Sequence, residues 1–197
     1  LEQGTVEILK QTERINRTVA ALMQLSHPGS SSDTPQCIPC NLADCVDEAI
    51  HLLSLKTQRD DASFENLCDR EVLVNADAQL LLQITLNLLD NARSAASGEG
   101  DVEVSSVADG NVVRLRIDNP GPPLDSHQLS QVFEPFYTTK DVGEGTGLGL
   151  PLVRSMLEDM DGSVQLLSPV PGGNGRGVRA KVTLPRASYT ADFTGEA

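Results

Sequence analysis

Apolar side chains recur at helical spacing over the first 26 residues of the chain. Ile8, Ile15 and Leu22 repeat every seven residues, which is the spacing of a seam between packed helices. Because a single amphipathic helix cannot bury such a stripe alone, we predict a helix over residues 1–26 that packs against another helix. The proline, glycine and serines that follow predict a linker over residues 27–36.

Farther along, the apolar pattern alternates between the helical and the strand period. The predicted helices span 41–56, 77–96 and 148–162, and the predicted strands span 62–67, 71–74, 102–107, 112–119, 163–167 and 178–184. Asp77 is a suitable N-cap for the most apolar of these helices. The stretch 120–147 is rich in Gly and Pro and is too long for an ordinary connector, which indicates a functional loop.

Composition and charge exclude some classes of partner. Hydrophobic residues make up 39% of the 197 residues and Trp is absent, so the core is expected to consist of Leu, Val, Ile and Ala. The formal net charge is −13, and such a surface disfavours binding to nucleic acid or anionic lipid. No apolar run is long enough to span a bilayer, and no signal-peptide pattern is present. We expect a soluble, cytoplasmic chain with one core-bearing domain.

The four cysteines raise the question of a metal or disulfide site. Cys37 and Cys40 form one C-x-x-C, but Cys45 and Cys68 supply no second pair at zinc-site spacing. The pattern favours reduced thiols in a cytoplasmic domain, with Cys45 and Cys68 partly buried in a helix and a strand.

Three amides line one edge of the apolar helix predicted over 77–96. Gln83, Asn87 and Asn91 are spaced i, i+4, i+8. Neutral amides coordinate a hard cation through oxygen or bind phosphate through N–H. Periodicity alone leaves a second interpretation open, in which the stripe caps neighbouring backbone groups.

A glycine-rich run opens the helix that starts at Leu148. Glycines at 145, 147 and 149 allow close approach of a ligand, and the first free N–H groups of the helix attract an anion. Flexible loops are also glycine-rich. The run does not directly follow a predicted strand and lacks the Lys-Ser/Thr of a P-loop, which argues against Rossmann and Walker sites. The pattern therefore requires another kind of phosphate cradle.

Together these segments resemble the sensor histidine kinases of the GHKL ATPase superfamily, over roughly residues 3–185. Asn87–Ala92 (NLLDNA) is similar to the N box, Phe133–Lys140 (FEPFYTTK) to the F box and Gly145–Leu150 (GTGLGL) to the G2 box. Their order and spacing match, and the details are most similar to the nitrogen-regulation type. The resemblance implies an α/β (α+β) two-layer sandwich, in which a mixed sheet packs on three helices and ATP binds under a lid. This agrees with the predicted order of helices and strands.

The resemblance also implies roles for individual residues. Asn91 is expected to coordinate Mg²⁺ at the phosphates of ATP, with Asn87 assisting from the preceding turn. Lys140 and the glycine amides are expected to hold the phosphates, while Phe133 and Phe136 pack the lid. The implied nucleotide contacts are Asn87, Asn91, Asn119, Gly121, Phe133, Phe136, Thr138, Thr139, Lys140, Gly145, Thr146, Gly147, Leu148 and Gly149. Metal, lysine and backbone donors form an adequate set for phosphoryl transfer.

The chain departs from the family pattern in its G1 box. An Asp-x-Gly-x-Gly pattern is expected, and residues 118–123 read DNPGPP. In an extended strand Asn119 shares a face with the apolar residue at 117, whereas Asp118 points with Arg114 and Arg116. Strand parity therefore predicts that Asn119 takes the adenine-reading position.

A second departure concerns the phosphoacceptor histidine. The first helix of the dimerisation hairpin is absent, and none of His27, His51 and His127 lies in an acceptor motif. We therefore expect residues 1–26 to be the second helix of a dimerisation domain, residues 37–186 the catalytic domain and residues 187–197 a tail. We expect this part of the protein to be cytoplasmic, whether the whole sensor is soluble or is attached to a membrane.

Two functions of different class remain open. The first is a kinase domain that binds ATP or ADP, passes the γ-phosphoryl to a histidine outside this chain, serves a cognate response regulator and forms a homodimer through the N-terminal helix. The second is a pseudokinase that binds a nucleotide or a partner without catalysis. The N and G2 boxes favour the first.

Overall fold

The computed structural model describes residues 34–55, 62–96, 100–140, 145–172 and 175–187. The helices are α1 (Leu42–Ser54), α2 (Ala78–Ala96), α3 (Ser126–Gln131) and α4 (Gly149–Glu158). The strands are β1 (Ile38–Asn41), β2 (Phe64–Leu67), β3 (Leu73–Ala76), β4 (Val102–Asp109), β5 (Val112–Asn119), β6 (Ser163–Leu167) and β7 (Val178–Pro185). The predicted N-terminal helix, most of the linker and the tail beyond residue 187 lie outside the described residues.

Five strands form one mixed sheet in the order β2-β4-β5-β7-β6. The edge strand β2 pairs with β4 in parallel, and the other neighbours are antiparallel. A separate two-stranded antiparallel sheet joins β1 to β3. The predicted two-layer α/β sandwich, with a mixed sheet and the three helices α1, α2 and α4, is confirmed.

Strict alternation in β5 and β7 divides the sheet into two faces. Every second side chain of β5, from Val113 to Asn119, is buried, and the same holds for β7 from Val178 to Leu184. The buried face packs against the apolar sides of α1, α2 and α4, because a helix stripe and a sheet face exclude water only by covering each other. The largest fully buried side chains are Leu42, Leu81, Ile84, Leu89, Leu115, Ile117, Leu148, Leu157 and Leu184.

Local capping explains where the helices begin. Asn41 caps α1 by accepting from Asp44 N at 3.1 Å, and Asp77 Oδ1 accepts from Leu80 N at 3.2 Å at the beginning of α2. The prediction of Asp77 as an N-cap is therefore confirmed. Side-chain acceptors satisfy N–H groups that have no partner within the helix.

Helix α3 was missed within the stretch 120–147. Asp125 and Gln128 form a capping box, with Gln128 N donating to Asp125 Oδ1 at 2.7 Å and Asp125 N donating to Gln128 Oε1 at 2.9 Å. The spacing of these two residues is the sequence signature of such a box, but the helix has only 6 residues and buries none of them. Hydrophobic periodicity therefore gives no signal for it.

Other differences concern short elements and ends of elements. Strand β1 was not predicted, because four residues that include Pro39 give too short a pattern. Helix α4 ends at Glu158, before the expected Gly162. Gly162 N nevertheless donates to Leu157 O at 2.7 Å, so the glycine satisfies a carbonyl of the final turn as a residue beyond a helix end does.

The described part of the chain has no helix with the length and hydropathy needed to cross a membrane. The four cysteines are free thiols, and the described residues contain no group of three or more His, Cys, Asp or Glu placed to hold a metal ion. Burial raises the pKa of the Cys45 thiol in α1 and of the Cys68 thiol after β2 to about 11.

We predict that these two thiols weaken the fold in strongly alkaline solution. The thiols ionise near their ordinary value of 9.0 when unfolded and near about 11 when folded, so stability is fully present below pH 9 and is lost as the pH rises towards 11. Urea unfolding across this range is expected to show a smaller loss for Cys45→Ala/Cys68→Ala than for wild type. Equal losses in the two proteins would contradict the assignment.

Candidate functional site

Two helices meet at a glycine that faces polar side chains. α2 carries Asn87 and Asn91 on successive turns, and both side chains are half-buried. A Cβ atom built on Gly149, the first residue of α4, would lie 3.6 Å from Asn87 Oδ1 and 3.6 Å from Asn91 Nδ2. Because Gly149 has no side chain, space remains between both carboxamides and the beginning of α4.

The two carboxamides are held differently. Asn87 Nδ2 donates to the Gln83 carbonyl oxygen at 2.9 Å, which orients the amide and leaves Oδ1 towards Gly149. No described residue forms a hydrogen bond with the Asn91 side chain. Amide oxygens are suitable ligands for hard cations, so the pair forms one candidate ligand set. The alternative interpretation, backbone capping, accounts for one amide group of Asn87 only.

The N-terminal end of α4 lies open to an anion. Leu148 is the N-cap residue, and no side chain caps it among the described residues. Its own side chain is 1% exposed and anchors the helix end in the core, while Leu148 N donates to Thr146 Oγ1 at 3.4 Å. The free N–H groups of such an end carry partial positive charge. Pro151 in the first turn has no N–H to leave unsatisfied.

The F box lies directly on the glycine run. Phe136 N donates to Gly147 O at 2.9 Å, and a Cβ atom on Gly147 would lie 2.6 Å from Phe136 Cα. Gly147 also has φ +67°, so both the conformation and the contact require glycine. The Phe136 side chain is 61% exposed. The expectation that Phe136 packs the lid stays a prediction.

Lys140 and Thr138 flank the first glycine of the run. A Cβ atom on Gly145 would lie 2.5 Å from Thr138 Oγ1 and 3.4 Å from Lys140 Cδ. Thr138 Oγ1 also accepts from Lys140 N at 3.1 Å, which closes a tight turn. The lysine stem therefore lies beside the glycine cradle, whereas Thr139 next to it is exposed.

Sequence reasoning missed one side chain at this site. The guanidinium carbon of Arg154, on α4, lies 4.0 Å from the ring centroid of Phe133. Phe133 is half-buried and packs against the hydrophobic core. A cation over an aromatic face is an attractive arrangement. The sequence carries no local signal for this contact, because Arg154 and Phe133 lie far apart along the chain.

A second cluster lies near the C-terminal end of α2. Asn119 ends β5 with its side chain 5% exposed, one of two polar side chains buried among the described residues. In the orientation that the hydrogen bonds favour, Nδ2 donates to Val178 O at 3.1 Å and Oδ1 accepts from Gly121 N at 3.2 Å. The carboxamide therefore uses both a donor and an acceptor to hold its place.

The loop after β5 is fixed by close backbone packing. A Cβ atom on Gly121 would lie 2.8 Å from the Ala95 carbonyl carbon of α2. Gly177 N donates to Gly121 O at 2.8 Å, and Ser168 Oγ donates to Gly177 O at 3.0 Å. Ala95 follows Asn91 by four residues, or about 6 Å of helix. One helix therefore carries both clusters.

Asp118 points to the opposite face of the sheet, as strand parity predicts. Its carboxylate accepts two hydrogen bonds from Arg179, at 2.7 Å from Nε and 2.6 Å from Nη2. This bidentate pair raises the pKa of the Arg179 guanidinium. Asp118 therefore has its partner outside the buried site.

A family model described as "Histidine kinase-, DNA gyrase B-, and HSP90-like ATPase" matches residues 76–188, more than half of the chain. The chain belongs to this family. The match includes both clusters and the whole five-stranded sheet except β2.

The relatives of this ATPase domain include named sensor kinases. Sensor histidine kinase ZraS of Escherichia coli O157:H7 is 29% identical over 177 residues, which are 89% of this chain and 36% of that protein. The chain thus spans about a third of the length of this curated relative. The prediction of a histidine kinase-type catalytic domain is confirmed.

Solved structures show the same architecture. A mycobacterial sensor histidine kinase, MprB, is 25% identical with a TM-score of 0.66, over 76% of this chain and 97% of that chain. Full-length ShkA, solved in complex with AMPPNP, is 22% identical with a TM-score of 0.76, over 94% of this chain and 39% of that chain. This second likeness shows the fold alone.

The buried carboxamide of this ATPase domain leads to a prediction for Asn119→Asp. A carboxylate cannot donate to Val178 O, so two oxygens would face each other at the present 3.1 Å. We expect urea unfolding at pH 7 to show a loss of about 1–3 kcal/mol, the scale of an unsatisfied buried polar group.

The same variant is expected to recover stability in acid. The opposing carbonyl raises the folded-state pKa of the new carboxyl above its unfolded value, so the loss is small below the unfolded pKa and grows as pH rises through the folded pKa. Asn111→Asp, in the exposed turn between β4 and β5, serves as the control. Wild-type stability of Asn119→Asp at pH 7 would show that the hydrogen bond to Val178 is not formed.

Proposed function

We propose that the chain binds Mg²⁺-ATP as the catalytic domain of a sensor histidine kinase and supplies the γ-phosphoryl for transfer to a histidine of a dimerisation helix. The observation that carries the proposal is the contact at Gly149, where two carboxamides of α2 lie against the uncapped end of α4. Candidate metal ligands and N–H groups that can donate hydrogen bonds to phosphate are thereby close together, as phosphoryl transfer requires.

The phosphates would lie at the beginning of α4. Free backbone N–H groups there attract anions, and the side chain of Lys140 lies beside Gly145. Lys140 is the only Lys in the matched region apart from Lys181, and Lys181 belongs to the opposite face of the sheet. We therefore assign the cationic contact with the phosphates to Lys140.

The residues present fit a hard cation. Asn91 has a carboxamide that no described residue engages, and Asn87 directs its oxygen to the same place. Mg²⁺ in nucleotide sites takes one or two protein ligands and completes its shell with phosphate oxygens and water. Asn91 would hold it, Asn87 would assist, and the ion would neutralise charge on the phosphates.

Asn119 is proposed to read the adenine base. Its remaining lone pair and N–H offer an acceptor and a donor edge, and the hydrogen bonds to Val178 and Gly121 fix which end of the amide is which. A rigid amide discriminates between adenine and guanine better than one that rotates freely, because reversal would break both bonds. Gly121 contributes by allowing the loop to approach α2.

Further features of the whole protein follow from the same proposal. We propose that residues 37–186 form the catalytic domain, that the segment 1–26 mediates a homodimer and that a response regulator receives the phosphoryl group. ADP is expected as the product that leaves the site. The pseudokinase alternative is not favoured, because the relatives are named as kinases.

We predict that ATP and ADP binding depends on Mg²⁺ through Asn91. Calorimetry of wild type is expected to show tighter binding with Mg²⁺ than without it, and Asn91→Ala to bind with the weak affinity of the metal-free wild type in both conditions. Loss of a cation ligand removes the metal contribution and leaves the base contacts.

A matched control lies on the same helix. Gln79 is an exposed amide in the first turn of α2, and Gln79→Ala is expected to bind like wild type. The assignment of Asn91 fails if wild type binds equally with and without Mg²⁺. Equal loss in Gln79→Ala would instead indicate damage to the helix.

A fourth prediction concerns the chain as a phosphoacceptor. With ATP labelled at the γ-phosphate, the isolated chain is expected to gain no acid-labile label, because His51 and His127 are exposed side chains outside any acceptor motif. His27 lies outside the described residues. Label that disappears in one of three single His→Gln variants would identify an acceptor and overturn this prediction.

A further inference from the structure

We infer that Arg154 is a positioning residue that holds the F box on α4 and thereby keeps Lys140 at the glycine cradle. The contact between Arg154 and Phe133 is a feature of the structure, and its effect on phosphate binding rests on the proposed function. Arg154 is exposed on α4 and its guanidinium carbon is 4.0 Å from the Phe133 ring centroid.

The F box is attached to the body of the domain at its N-terminal end. Val132 is 7% exposed and Phe133 packs on the core, but beyond them the chain moves outward and Phe136 is 61% exposed. From Phe136 to Lys140 the described contacts with distant parts of the chain go to Gly145 and Gly147. The F box and the glycine run thus support each other, and Phe133 connects them to the helices.

Among the described residues, Arg154 has no ion-pair partner that competes with Phe133. None of the described carboxylates bonds to Arg154 or draws its guanidinium away from the ring. Side chains on a helix lean towards its N-terminal end. Arg154 therefore reaches from the second turn of α4 towards the end that carries the cradle, and covers Phe133 there.

The F box connects the Phe133 ring to Lys140. Phe133 and Lys140 are the two ends of the F box, and Lys140 is held at Gly145 through Thr138. If the ring loosens, the segment from 134 to 140 depends more on the hydrogen bond from Phe136 N to Gly147 O and on its contacts with Gly145. The lysine then samples more positions and contacts phosphate less often. Arg154 acts through Phe133, with no need to touch the nucleotide.

A double-mutant cycle with amide hydrogen exchange tests the contact. In the nucleotide-free chain, Arg154→Gln and Phe133→Leu are each expected to speed exchange of residues 134–140 by about two- to five-fold, the ratio that corresponds to an exposed cation–π contact. The double variant is expected to match Phe133→Leu alone, because the second change removes a contact already lost. Arg154→Lys keeps a cation over the ring and is expected to restore most of the protection.

Two controls separate positioning from general destabilisation. Glu158→Gln, one turn farther along α4 and exposed, is expected to leave exchange unchanged. Exchange of β5 amides and the urea midpoint are expected to stay at wild-type values in Arg154→Gln. A fall in the midpoint that matches the faster exchange would assign Arg154 a global structural role and overturn the inference.

ATP affinity then separates this inference from the proposed function. Arg154→Gln is expected to weaken Mg²⁺-ATP binding several-fold, with the effect lost when Lys140→Ala is already present. Additive effects of Arg154→Gln and Phe133→Leu on exchange overturn the positioning role of Arg154 even if ATP binds. Absence of ATP binding in wild type overturns the proposed function. The exchange cycle then still shows whether Arg154 stabilises the F box through Phe133. A loss of affinity without faster exchange would make Arg154 a direct ligand of the nucleotide.

Discussion

The candidate site is organised by the close approach of helix α4 to helix α2 at Gly149. At this point α2 presents two carboxamides, and a Cβ atom on Gly149 would already be in van der Waals contact with both, at 3.6 Å from Asn87 Oδ1 and from Asn91 Nδ2. The proposed metal and phosphate contacts depend on this approach, because it brings the amides of α2 to the beginning of α4.

The sheet imposes a second constraint about 6 Å farther along α2. Alternation in β5 brings Asn119 into the buried layer as the continuation of an apolar series, and a polar group in that layer needs partners. Val178 and Gly121 supply them from the backbone. The same alternation directs Asp118 outward, where Arg179 satisfies both carboxylate oxygens. A slip of one residue would exchange the two environments and bring the Asp118 carboxylate into the buried layer.

Much of this arrangement could be predicted from the sequence. Long periodic segments such as α2, β5 and β7 lie within a few residues of their predicted bounds, because their burial pattern repeats often enough to be unambiguous. The three boxes and their order indicated the family, which the matched model confirms. Parity alone predicted the inward direction of Asn119.

The remainder depends on contacts between distant parts of the chain. Helix α3 and strand β1 are too short to show a recognisable hydrophobic periodicity. The stacking of Arg154 on Phe133 joins residues 21 positions apart through the fold, and the sequence carries no local sign of it. The roles of Asn87, Asn91, Lys140 and the glycines stay predictions, although the described contacts bring them together.

The donor bond from Asn119 to the Val178 carbonyl has a consequence for how this position can vary among related domains. A carbonyl oxygen is present whatever residue occupies position 178, so no substitution at that neighbour can remove the demand for a donor. An aspartate in place of Asn119 would set a carboxylate oxygen against this carbonyl, so it would fit without loss only if the adjacent strand turned its carbonyl aside or lay farther away. The path of the neighbouring backbone in this chain therefore favours an amide over an acid at position 119 before any nucleotide arrives.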